Sequence, residues 1–493
     1  MAANPKAASV QGARSLGHHI AGQWIESRAT SLQDVRNPAT GELLAHVALG
    51  GAADVEAAVA AAKAAYPAWR ATPPTARARH IFEFKVLLEK RFDDLARTVT
   101  LEHGKTLDES RGSVRRAIDN VERAAAIPSL LMGEALEDVG RDVDCEAVRQ
   151  PIGVFAAICP FNFPIMVPLW FLPYAIACGN TFVLKPSEQV PLSAALLIDL
   201  LQETGLPAGV VNVVNGAREA VDALLDHRDV QGVSFVGSSP VAEYVYRRAA
   251  ERGKRVQALG GAKNFIVVMP DADLEQAADA ITESAFGNAG ERCLAGSVVL
   301  AVGEVHAPLR QALAERARTL RVGDGLDPKT QMGPVISAKH RERVLQYIEA
   351  GVKSGAELLV DGRPEAARHP QGHFLGATLF DGVDPGMQIA REEIFGPVLC
   401  ITQVPDLDAA IATLRAHPLG NATSIFTTSG KHARRFKYDA QVSMIGVNIG
   451  VAAPMAFFPF GGAKGSFFGD TKAHGMDAIG FYTDKKVIIS RWV

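Results

Sequence analysis

The sequence lacks the features that mark a disulfide-bonded, metal-binding or nucleic-acid-binding protein. Its five cysteines, at positions 145, 159, 178, 293 and 400, are odd in number and form no CxxC pair or other metal-ligand spacing. This pattern favours free thiols in a reducing compartment and predicts no metal site. Lysine and arginine together number 51 against 54 aspartates and glutamates. No basic excess therefore indicates binding to nucleic acid or to an anionic membrane surface.

Long apolar runs are also missing. The best candidate for a membrane span, residues 165–178, is too short and is interrupted by Pro168 and Pro173. Residues 1–17 contain no apolar segment of the kind that a secretory signal needs. The lack of acidic residues before Glu26 is shared with transit peptides, but the segment is short. We therefore expect a cytoplasmic protein, with the mitochondrial matrix as the alternative.

A length of 493 residues, 48% of them hydrophobic, suggests two to four domains with large cores.

Periodicity in the first part of the chain predicts helices and one hairpin. Helical patterns cover 54–69, 75–102 and 113–132. Short alternation over 135–148 predicts a β-hairpin that is polar on both faces. We expect this hairpin to be an arm that pairs with another subunit.

From residue 152 onward, strands and helices alternate. Apolar strands are predicted at 154–158, 181–184, 210–214 and 233–236, with helical patterns at 165–178, 191–204, 218–226 and 240–251. This βαβ series predicts a parallel sheet that is covered on both faces. A second series begins near Phe265 with a helix at 273–288 and a strand at 297–302. The tail, 481–492, is predicted to be a strand that could lie beside the hairpin.

Cys293 is the candidate nucleophile. It ends the segment FGNAGERC, a glycine-bracketed polar loop that follows a helical pattern, and Arg292 precedes it. A neighbouring cation lowers the pKa of a thiol from about 8.5 and so increases the thiolate fraction. The other four cysteines lie in apolar runs or in the hairpin, where a cysteine is usually a small packing residue.

Four ordered segments resemble the aldehyde dehydrogenase superfamily, namely CPFNFP (159–164), LGGAK (259–263), FGNAGERC (286–293) and EEIFGPV (392–398). The resemblance implies an α/β fold in three parts. A parallel-sheet NAD-binding domain would comprise 1–132 and 151–258, and an α/β catalytic domain would comprise 259–450. A β-arm for oligomerisation would comprise 133–150 and 470–493. It also implies a homo-oligomer, a tetramer built as a dimer of dimers.

The resemblance assigns roles to the reacting groups. Cys293 matches the nucleophile that attacks the aldehyde to form a thiohemiacetal. Asn162 matches the side-chain amide that, with the backbone N–H of Cys293, stabilises the oxyanion. A donor of this kind lowers the barrier by about 3 kcal/mol. Taken alone, Asn162 would be interpreted as a turn residue before Pro164.

The common dinucleotide fingerprint GxGxxG is absent. Instead, Gly237-Ser238-Ser239-Pro240 follows a predicted strand and opens a helix, an arrangement that suits a pyrophosphate. By resemblance, Lys185 and Glu188 hold the adenosine ribose, which favours NAD over NADP, and Glu393 holds the nicotinamide ribose with Phe395 nearby. The full set that the resemblance places at the cofactor comprises Cys159, Phe161, Lys185, Glu188, Gln189, Ser238, Gly260, Glu393 and Phe395.

Most members of the superfamily carry a glutamate just before the Gly260-Gly261 pair, and this residue activates water to hydrolyse the acyl-enzyme. Here the position holds Leu259, or Ala258 if the gap is shifted. Neither side chain can accept a proton, so we expect the acyl group to pass to an acceptor other than water.

Within the superfamily, the chain resembles the CoA-acylating methylmalonate-semialdehyde dehydrogenases over nearly its full length. The specific segments are GAKN (261–264), GERC (290–293) and PMAFFPFGGAKGSFFGD (454–470). The departures are Leu294, where methionine is usual, and Gly462-Ala463 in place of Gly-Trp. Arg116 and Arg292 match the residues that hold the substrate carboxylate. The alternative for Arg116 is a solvated helix face, because Arg115 adjoins it.

The expected reaction is the NAD-dependent oxidation of methylmalonate semialdehyde, or malonate semialdehyde, through a Cys293 thioester. Loss of CO2 and transfer to coenzyme A as co-substrate would give propionyl-CoA or acetyl-CoA. One alternative is a hydrolytic dehydrogenase that releases a free acid, with Glu291 as the acidic residue nearest in sequence. Another is a non-catalytic protein that keeps the same fold.

Overall fold

The computed structural model describes residues 14–27, 29 and 31–493. Residues 1–13, most of the segment considered above as a targeting signal, lie outside this range. The strands are β1 (Arg14–Leu16), β2 (His18–Ile20), β3 (Gln23–Ile25), β4 (Leu32–Arg36), β5 (Leu43–Ala48), β6 (Glu134–Gly140), β7 (Val143–Pro151), β8 (Val154–Ile158), β9 (Thr181–Lys185), β10 (Val211–Val213), β11 (Val230–Val236), β12 (Arg255–Leu259), β13 (Asn264–Val268), β14 (Gly296–Val302), β15 (Glu357–Val360), β16 (Thr378–Asp381), β17 (Val398–Val404), β18 (Leu419–Gly420), β19 (Ala422–Phe426), β20 (Met444–Val447), β21 (Ala463–Lys464), β22 (Phe467–Gly469) and β23 (Thr483–Arg491).

The helices cover both faces of the two large sheets. They are α1 (Ala52–Ala71), α2 (Pro74–Lys90), α3 (Phe92–His103), α4 (Leu107–Ala125), α5 (Ile127–Leu130), α6 (Pro168–Ala177), α7 (Pro191–Glu203), α8 (Arg218–Asp226), α9 (Ser239–Glu251), α10 (Leu274–Phe286), α11 (His306–Thr319), α12 (Ala338–Lys353), α13 (Glu365–Arg368), α14 (Gln388–Arg391), α15 (Leu407–Ala416), α16 (Gly430–Asp439) and α17 (Gly475–Tyr482). No helix in the described part of the chain is both long and apolar enough to cross a membrane.

The first large sheet has eight strands in the order β22-β12-β11-β8-β9-β10-β2-β3. The five central strands, from β12 to β10, are parallel, and β22, β2 and β3 are antiparallel additions at the edges. β8 and β9 are buried along their whole length, as expected of parallel strands covered by helices on both faces. The four strands predicted from residue 152 onward are therefore confirmed.

The second large sheet has seven strands in the order β15-β16-β17-β14-β13-β19-β20. All are parallel to their neighbours except β15, which pairs antiparallel with β16. β13 and β14 correspond to the second strand series that the sequence predicts. Both sheets are consistent with an α/β fold.

Two predicted helices differ in their bounds from the observed ones. The pattern over 75–102 forms two helices, α2 and α3, because the chain leaves helical geometry at Arg91 (φ −107°, ψ 23°). The pattern over 113–132 begins earlier, at Leu107. There, Thr106 and Glu109 form a reciprocal capping box that satisfies the N-terminal N–H groups of α4.

A separate three-stranded sheet, in the order β23-β7-β6, forms the arm. β23 pairs antiparallel with β7 from Thr483 opposite Pro151 to Arg491 opposite Val143, which confirms that the tail lies beside the hairpin. Residues of α17 belong to the main apolar core, so the paired segment begins at 483 rather than at 470. The division into domains and the role of the arm in oligomerisation remain predictions.

Candidate active site

Cys293 follows a left-handed turn at the end of α10. Asn288 and Ala289 have φ values of 56° and 50°, a conformation that non-glycine residues adopt only when the surroundings hold them there. Gly290 has φ 72°, and a Cβ at this position would collide with the carbonyl group of Gly396. The turn therefore packs directly against the backbone that precedes β17. Cys293, which follows the turn, lies near the junction of the two large sheets.

Two asparagine side chains fix the backbone of Cys293. The side-chain amides of Asn264 and Asn421 donate to its carbonyl oxygen at 3.0 and 2.8 Å. Asn264 begins β13 and Asn421 precedes β19, which are neighbouring strands of the seven-stranded sheet. The nucleophile loop is thus attached to a rigid element at its reacting residue.

Cys293 opens into a cavity of about 450 Å³. Arg116 and Arg292 also line this cavity, so the structure brings together the candidate nucleophile and both candidate carboxylate ligands. Its walls are otherwise mostly apolar. Other residues that line the cavity include Lys105, Glu109, Asp119, Phe163 and Glu283.

Arg116 does not lie on a solvated helix face. Its guanidinium is half-buried and donates to the carbonyl oxygens of Ala453 and Pro454 at 3.1 and 3.2 Å. The neighbouring Arg115 is exposed and makes two hydrogen bonds to the Glu89 carboxylate. The solvated-face interpretation therefore describes Arg115, and Arg116 points into the cavity.

Arg292 is paired inside the cavity wall. Its guanidinium lies 3.2 Å from Oε1 of Glu109, and both side chains are less than one-fifth exposed. The same oxygen accepts the backbone N–H of Asn288, while Oε2 of Glu109 caps α4 at Thr106. Glu109 thus connects a helix N-terminus to the left-handed turn and to Arg292.

The environment of Cys293 corrects the expectation of a lowered thiol pKa. Burial, together with the nearby carboxylate of Glu393, raises the pKa of Cys293 to about 12. Arg116 and Arg292 act in the opposite direction but do not overcome these effects. The sequence showed the adjacent arginine but not the desolvation, which is the larger contribution.

Asn162 is buried beside the nucleophile loop. Its Nδ2 donates to the carbonyl oxygen of Glu291 at 2.9 Å, two residues before Cys293. Its own backbone carbonyl accepts a hydrogen bond from Nζ of Lys105 at 2.6 Å. The side-chain amide is therefore directed at the segment that carries the nucleophile.

The side chain of Glu291 points away from the cavity. It is fully buried, its Oε1 accepts the backbone N–H of Ile336 at 3.1 Å, and its Oε2 lies 3.6 Å from Nε2 of His103. Burial raises the pKa of Glu291 well above its usual value. Glu291 is not among the residues that line the cavity, so it is not placed to activate water at a Cys293 thioester.

The two candidate replacements for the missing glutamate face opposite sides of the eight-stranded sheet. Leu259 belongs to the same apolar core that Cys293 contacts. Ala258 belongs to the core on the other face. Leu259 is therefore the residue on the Cys293 side, and the side chain there is apolar.

The candidate cofactor residues follow the carboxyl ends of adjacent parallel strands, where ligands bind in open α/β sheets. Cys159 and Phe161 follow β8, Lys185 ends β9, Ser238 follows β11 and Gly260 follows β12. Nζ of Lys185 lies 2.9 Å from Oε2 of Glu188, and Gln189 adjoins this pair. All of these positions share one edge of the eight-stranded sheet.

Glu393 and Phe395 approach this edge from the other sheet. Oε1 of Glu393 accepts the backbone N–H of Ala262 at 2.9 Å, and burial raises the pKa of Glu393 to about 7. Phe395 adopts φ 59°, and its ring packs edge-on against Phe161 with centroids 5.8 Å apart. The segment from Glu393 to Phe395 thus closes the gap between the carboxyl edge and Cys293.

Comparison with known proteins matches nearly the whole chain to the family that the sequence motifs resemble. The aldehyde dehydrogenase family model matches residues 24–488. The chain belongs to the aldehyde dehydrogenase family. It is 51% identical over 481 residues to malonate-semialdehyde dehydrogenase 2 of Geobacillus kaustophilus (strain HTA426), covering 98% of this chain and 99% of that protein.

Solved structures of the aldehyde dehydrogenase family share the fold closely. Methylmalonate-semialdehyde dehydrogenase from Oceanimonas doudoroffii superposes with a TM-score of 0.96 at 48% identity, covering 97% of this chain and 99% of that one. A protein of Sinorhizobium meliloti 1021, assigned as a methylmalonate-semialdehyde dehydrogenase and solved in complex with NAD, also gives 0.96 at 45% identity, with 98% and 99% covered. The predicted α/β aldehyde dehydrogenase fold is confirmed.

The carboxyl edge has the features that a dinucleotide needs in this family. The N-cap residue of α9, Ser238, is exposed and makes no side-chain hydrogen bond to the helix, so the N–H groups of the first turn face outward. Oγ of Ser239 accepts the N–H of Gly261 at 2.9 Å and so ties the helix start to the Gly-Gly segment. A Cβ at Gly261 would collide with the Glu393 carboxylate. The donor groups and the open backbone fit NAD.

Several residues of the site were not singled out from the sequence. Lys105 and Glu109 reach it from the α3–α4 turn, and Asn264 and Asn421 hold the nucleophile backbone. Burial lowers the pKa of Lys105 to about 7. The Thr106-x-x-Glu109 pattern signals a capping box in the sequence, but the contacts to Asn162 and Arg292 span 57 and 183 residues and have no local signal. No group of three or more His, Cys, Asp and Glu side chains in the described part of the chain is placed to hold a metal ion.

Proposed function

We propose that this protein is a CoA-acylating semialdehyde dehydrogenase that oxidises methylmalonate semialdehyde and malonate semialdehyde with NAD. The observation that carries the proposal is the cavity that contains Cys293, Arg116 and Arg292 together, beside an apolar Leu259 where a hydrolytic base would lie. Relatives named as malonate- and methylmalonate-semialdehyde dehydrogenases, at 45–51% identity, support the same substrate class.

The arginines select and orient the substrate. A semialdehyde carries a carboxylate at a short fixed distance from its aldehyde carbon. Planar guanidinium groups recognise carboxylates with two parallel hydrogen bonds. With the carboxylate at Arg116 and Arg292, the aldehyde is directed at the sulfur of Cys293. Because Glu109 already pairs with Arg292, we expect Arg116 to contribute more of the binding.

Cys293 and Asn162 perform the addition. The Cys293 sulfur bonds to the aldehyde carbon, and the carbonyl oxygen takes up negative charge. The side-chain amide of Asn162 and the backbone N–H of Cys293 donate to that oxygen and stabilise the transition state. Since burial keeps the pKa of Cys293 high, the resting thiol carries its proton, and this proton passes to the substrate oxygen as the thiohemiacetal forms.

NAD would be held by Lys185, Glu188, Ser238 and Glu393, with Cys159, Phe161, Gln189, Gly260 and Phe395 around it. When bound there, NAD supplies the acceptor for the hydride that leaves the thiohemiacetal carbon, and an acyl thioester on Cys293 results. The partly buried segment from Glu393 to Phe395 excludes water from the gap between that site and Cys293.

The acyl group loses its carboxylate as CO2 and leaves Cys293 by transfer to coenzyme A. The bond between the α-carbon and the carboxylate breaks, CO2 leaves, and the electron pair enters the thioester carbonyl as an enolate that takes up a proton. The thiol of coenzyme A, with a pKa near 8.5, needs less activation than water does. Its sulfur displaces that of Cys293, which returns to the thiol form, and propionyl-CoA or acetyl-CoA is released.

The test is NADH formation from methylmalonate semialdehyde with and without CoA, with the product identified by mass spectrometry. Sustained turnover that requires CoA and gives propionyl-CoA is the expected result. A single burst without CoA, near one NADH per active site, would show the trapped acyl-enzyme. The Cys293→Ala variant should give neither, and if it retained turnover the assignment of the nucleophile would be wrong.

A hydrolytic dehydrogenase is the competing function. Asp119 and Glu283 line the cavity, and burial raises the pKa of Asp119, so a carboxylate base is available in principle. Steady NADH formation without CoA and a free acid as product would support this alternative. The Asp119→Asn and Glu283→Gln variants would then identify the base.

A further inference from the structure

Lys105 is a buried cation in the cavity wall to which the reaction described above gives no role. Its side chain is 1% exposed, yet it lines the same cavity as Cys293. Burying an ammonium group costs free energy unless its environment compensates. The contacts of Lys105 must therefore compensate for this cost.

The contacts of Lys105 converge on the segment around Asn162. Nζ donates to the backbone carbonyl of Asn162 at 2.6 Å and lies 3.9 Å from the centroid of the Phe163 ring. A cation over an aromatic face is attracted by the ring quadrupole. One ammonium group thus holds two consecutive residues, one through its backbone and the next through its side chain.

The Asn162 side chain is held from the opposite direction. Its Nδ2 donates to the carbonyl of Glu291, in the loop that ends at Cys293. Without Lys105, the peptide between Asn162 and Phe163 would lose its hydrogen-bonding partner and could rotate. Asn162 would then be held only through its side-chain hydrogen bond to Glu291. A displaced amide would stabilise the transition state less, because the donor must lie close to the oxygen on which negative charge develops.

Lys105 is itself placed by the turn between α3 and α4. Gly104 ends α3 in the left-handed conformation (φ 94°), and Thr106 caps α4. Glu109, one turn into α4, holds Arg292 and the N–H of Asn288. A single turn therefore contacts the segments that carry Asn162, Arg292 and the nucleophile loop, and Glu109 supplies negative charge near the buried ammonium.

We propose that Lys105 is a positioning residue for acylation, whose ammonium group holds the Asn162–Phe163 peptide so that the Asn162 amide is aligned with the oxyanion. The inference rests on the proposed function in one respect, the role of Asn162. It does not depend on the final acceptor, because the oxyanion forms before CoA or water takes part.

The experiment is a single-turnover NADH burst, measured without CoA, for wild type, Lys105→Met, Asn162→Ala and the double variant. Removal of one oxyanion donor slows acylation by roughly 10²- to 10³-fold. We expect Lys105→Met to lose about 10- to 100-fold in burst rate, with KM for the aldehyde nearly unchanged. The double variant should be no slower than Asn162→Ala alone, because Lys105 acts through Asn162. Lys353→Met, at an exposed position of α12, is the matched control.

Two substrates separate positioning from direct binding. Propanal lacks the carboxylate, so a positioning role predicts the same relative loss with propanal as with methylmalonate semialdehyde. A loss confined to the semialdehyde and expressed in KM would mean that Lys105 binds the carboxylate, and it would overturn the proposal. An unchanged burst, or additive losses in the double variant, would overturn it as well.

Lys105→Gln guards against a folding defect. Lys105→Gln keeps an N–H donor, so it should recover part of the burst rate that Lys105→Met loses, and equal losses in the two variants would also overturn the proposal. An acyl-enzyme that hydrolyses without CoA would refute the proposed acceptor but leave the Lys105 result standing. A Cys293→Ala variant that still gives a burst would instead refute the proposed function.

Discussion

Two adjacent carboxylates, Glu392 and Glu393, differ sharply in environment. Glu392 is exposed and accepts a hydrogen bond from the Tyr347 hydroxyl at 2.7 Å, which lowers the pKa of Glu392. Burial raises the pKa of Glu393 to about 7, and its charge raises the pKa of the Cys293 thiol. The reactivity of the candidate nucleophile is therefore coupled to a residue of the candidate cofactor site.

We predict that Glu393→Gln alkylates faster than wild type at Cys293. Above pH 7 the wild-type carboxylate is ionised and opposes the thiolate, and removing that charge lowers the thiol pKa. One pKa unit would give roughly a tenfold rate increase, since the rate follows the thiolate fraction. The measurement is the second-order rate constant with iodoacetamide between pH 6 and 9.

Glu392→Gln is the matched control and should react like wild type. The difference between Glu393→Gln and wild type should shrink below about pH 7, where Glu393 takes up a proton. A difference of equal size at pH 6 and pH 9 would show that the charge of Glu393 is not its cause.

Arg116 and Arg115 offer a second matched pair. We predict that Arg116→Gln lowers kcat/KM for methylmalonate semialdehyde about 100-fold, because a charged hydrogen-bonded contact contributes about 1.5–3 kcal/mol. With propanal the same variant should be within about twofold of wild type. Arg115→Gln loses a surface pair with Glu89 and a cation–π contact with Phe92, both away from the cavity, and should leave both substrates unaffected. Equal losses on the two substrates would indicate a structural role for Arg116.

At the level of single residues, the sequence was informative where chemistry depends on residue type. The placement of Cys293, Arg116 and Arg292 in one cavity agrees with the interpretation of their motifs. The pKa of Cys293 could not be inferred in the same way, because it depends on how much protein surrounds the sulfur. Lys105 was missed because a lone lysine after Gly104 gives no indication that it will be buried beside Asn162.

Helix α7 is capped by a side chain from another helix. Glu102 of α3 is fully buried, and its carboxylate accepts the backbone N–H groups of Leu192 and Ser193 at 2.8 and 2.9 Å. These N–H groups belong to the first turn of α7, which has no partner for them within the helix. The contact fixes α3 against the helix that follows β9, the strand that ends at Lys185.

We predict a pH-dependent contribution of Glu102 to stability. Burial raises the pKa of Glu102 from 4.5 to about 7. Between these two values, unfolding releases a proton, so stability is lost as the pH rises from about 4.5 to about 7. The free energy of unfolding falls by about 3 kcal/mol over this range, because a pKa difference of one unit between the folded and unfolded states corresponds to about 1.36 kcal/mol. It should be visible as a fall in Tm of wild type relative to Glu102→Gln.

Melting temperatures measured by scanning fluorimetry from pH 5 to pH 8 would test this prediction. Glu83→Gln, an exposed position of α2, should follow wild type at every pH. A constant difference between wild type and Glu102→Gln across this range would contradict the assignment of the shift to Glu102.

At the level of elements, local sequence patterns predict the interiors of helices and strands more accurately than their ends. β8 is uniformly apolar, β9 is apolar between Thr181 and Lys185, and both were predicted closely. The break at Arg91 lies within a continuous helical pattern of the sequence. It arises from the packing of α2 and α3, which the local pattern does not show. β2, β3 and β22 are only three residues long, too short for a clear local pattern. β2 and β22 pair with distant strands, and β3 pairs with β2.

At the scale of the whole molecule, the arm exposes apolar side chains. β23 pairs with β7 on one side, and its other edge is unpaired within the described part of the chain. Val487 and Ile489, which share a face, are 61% and 71% exposed. An exposed apolar edge strand tends to pair with another chain, so this surface supports the predicted homo-oligomer.

We predict that Val487→Lys combined with Ile489→Lys lowers the molar mass measured by light scattering, from a tetramer toward dimers or monomers. Charged side chains on this face would oppose its burial between subunits. Lys486→Ser, on the opposite face of β23, should leave the mass unchanged. If the double variant kept the wild-type mass, the arm would not be the assembly surface.

The apolar side chain of Leu259 has a consequence for the fate of the energy released by oxidation. An aldehyde dehydrogenase that hydrolyses its thioester converts that bond into a free acid, and the energy is dissipated as heat. Under the proposed function, an enzyme with leucine at this position would keep the acyl group in a bond of nearly equal reactivity until another thiol takes it. One hydrophobic residue would thus preserve the acyl group in an activated form that other enzymes can use without further activation.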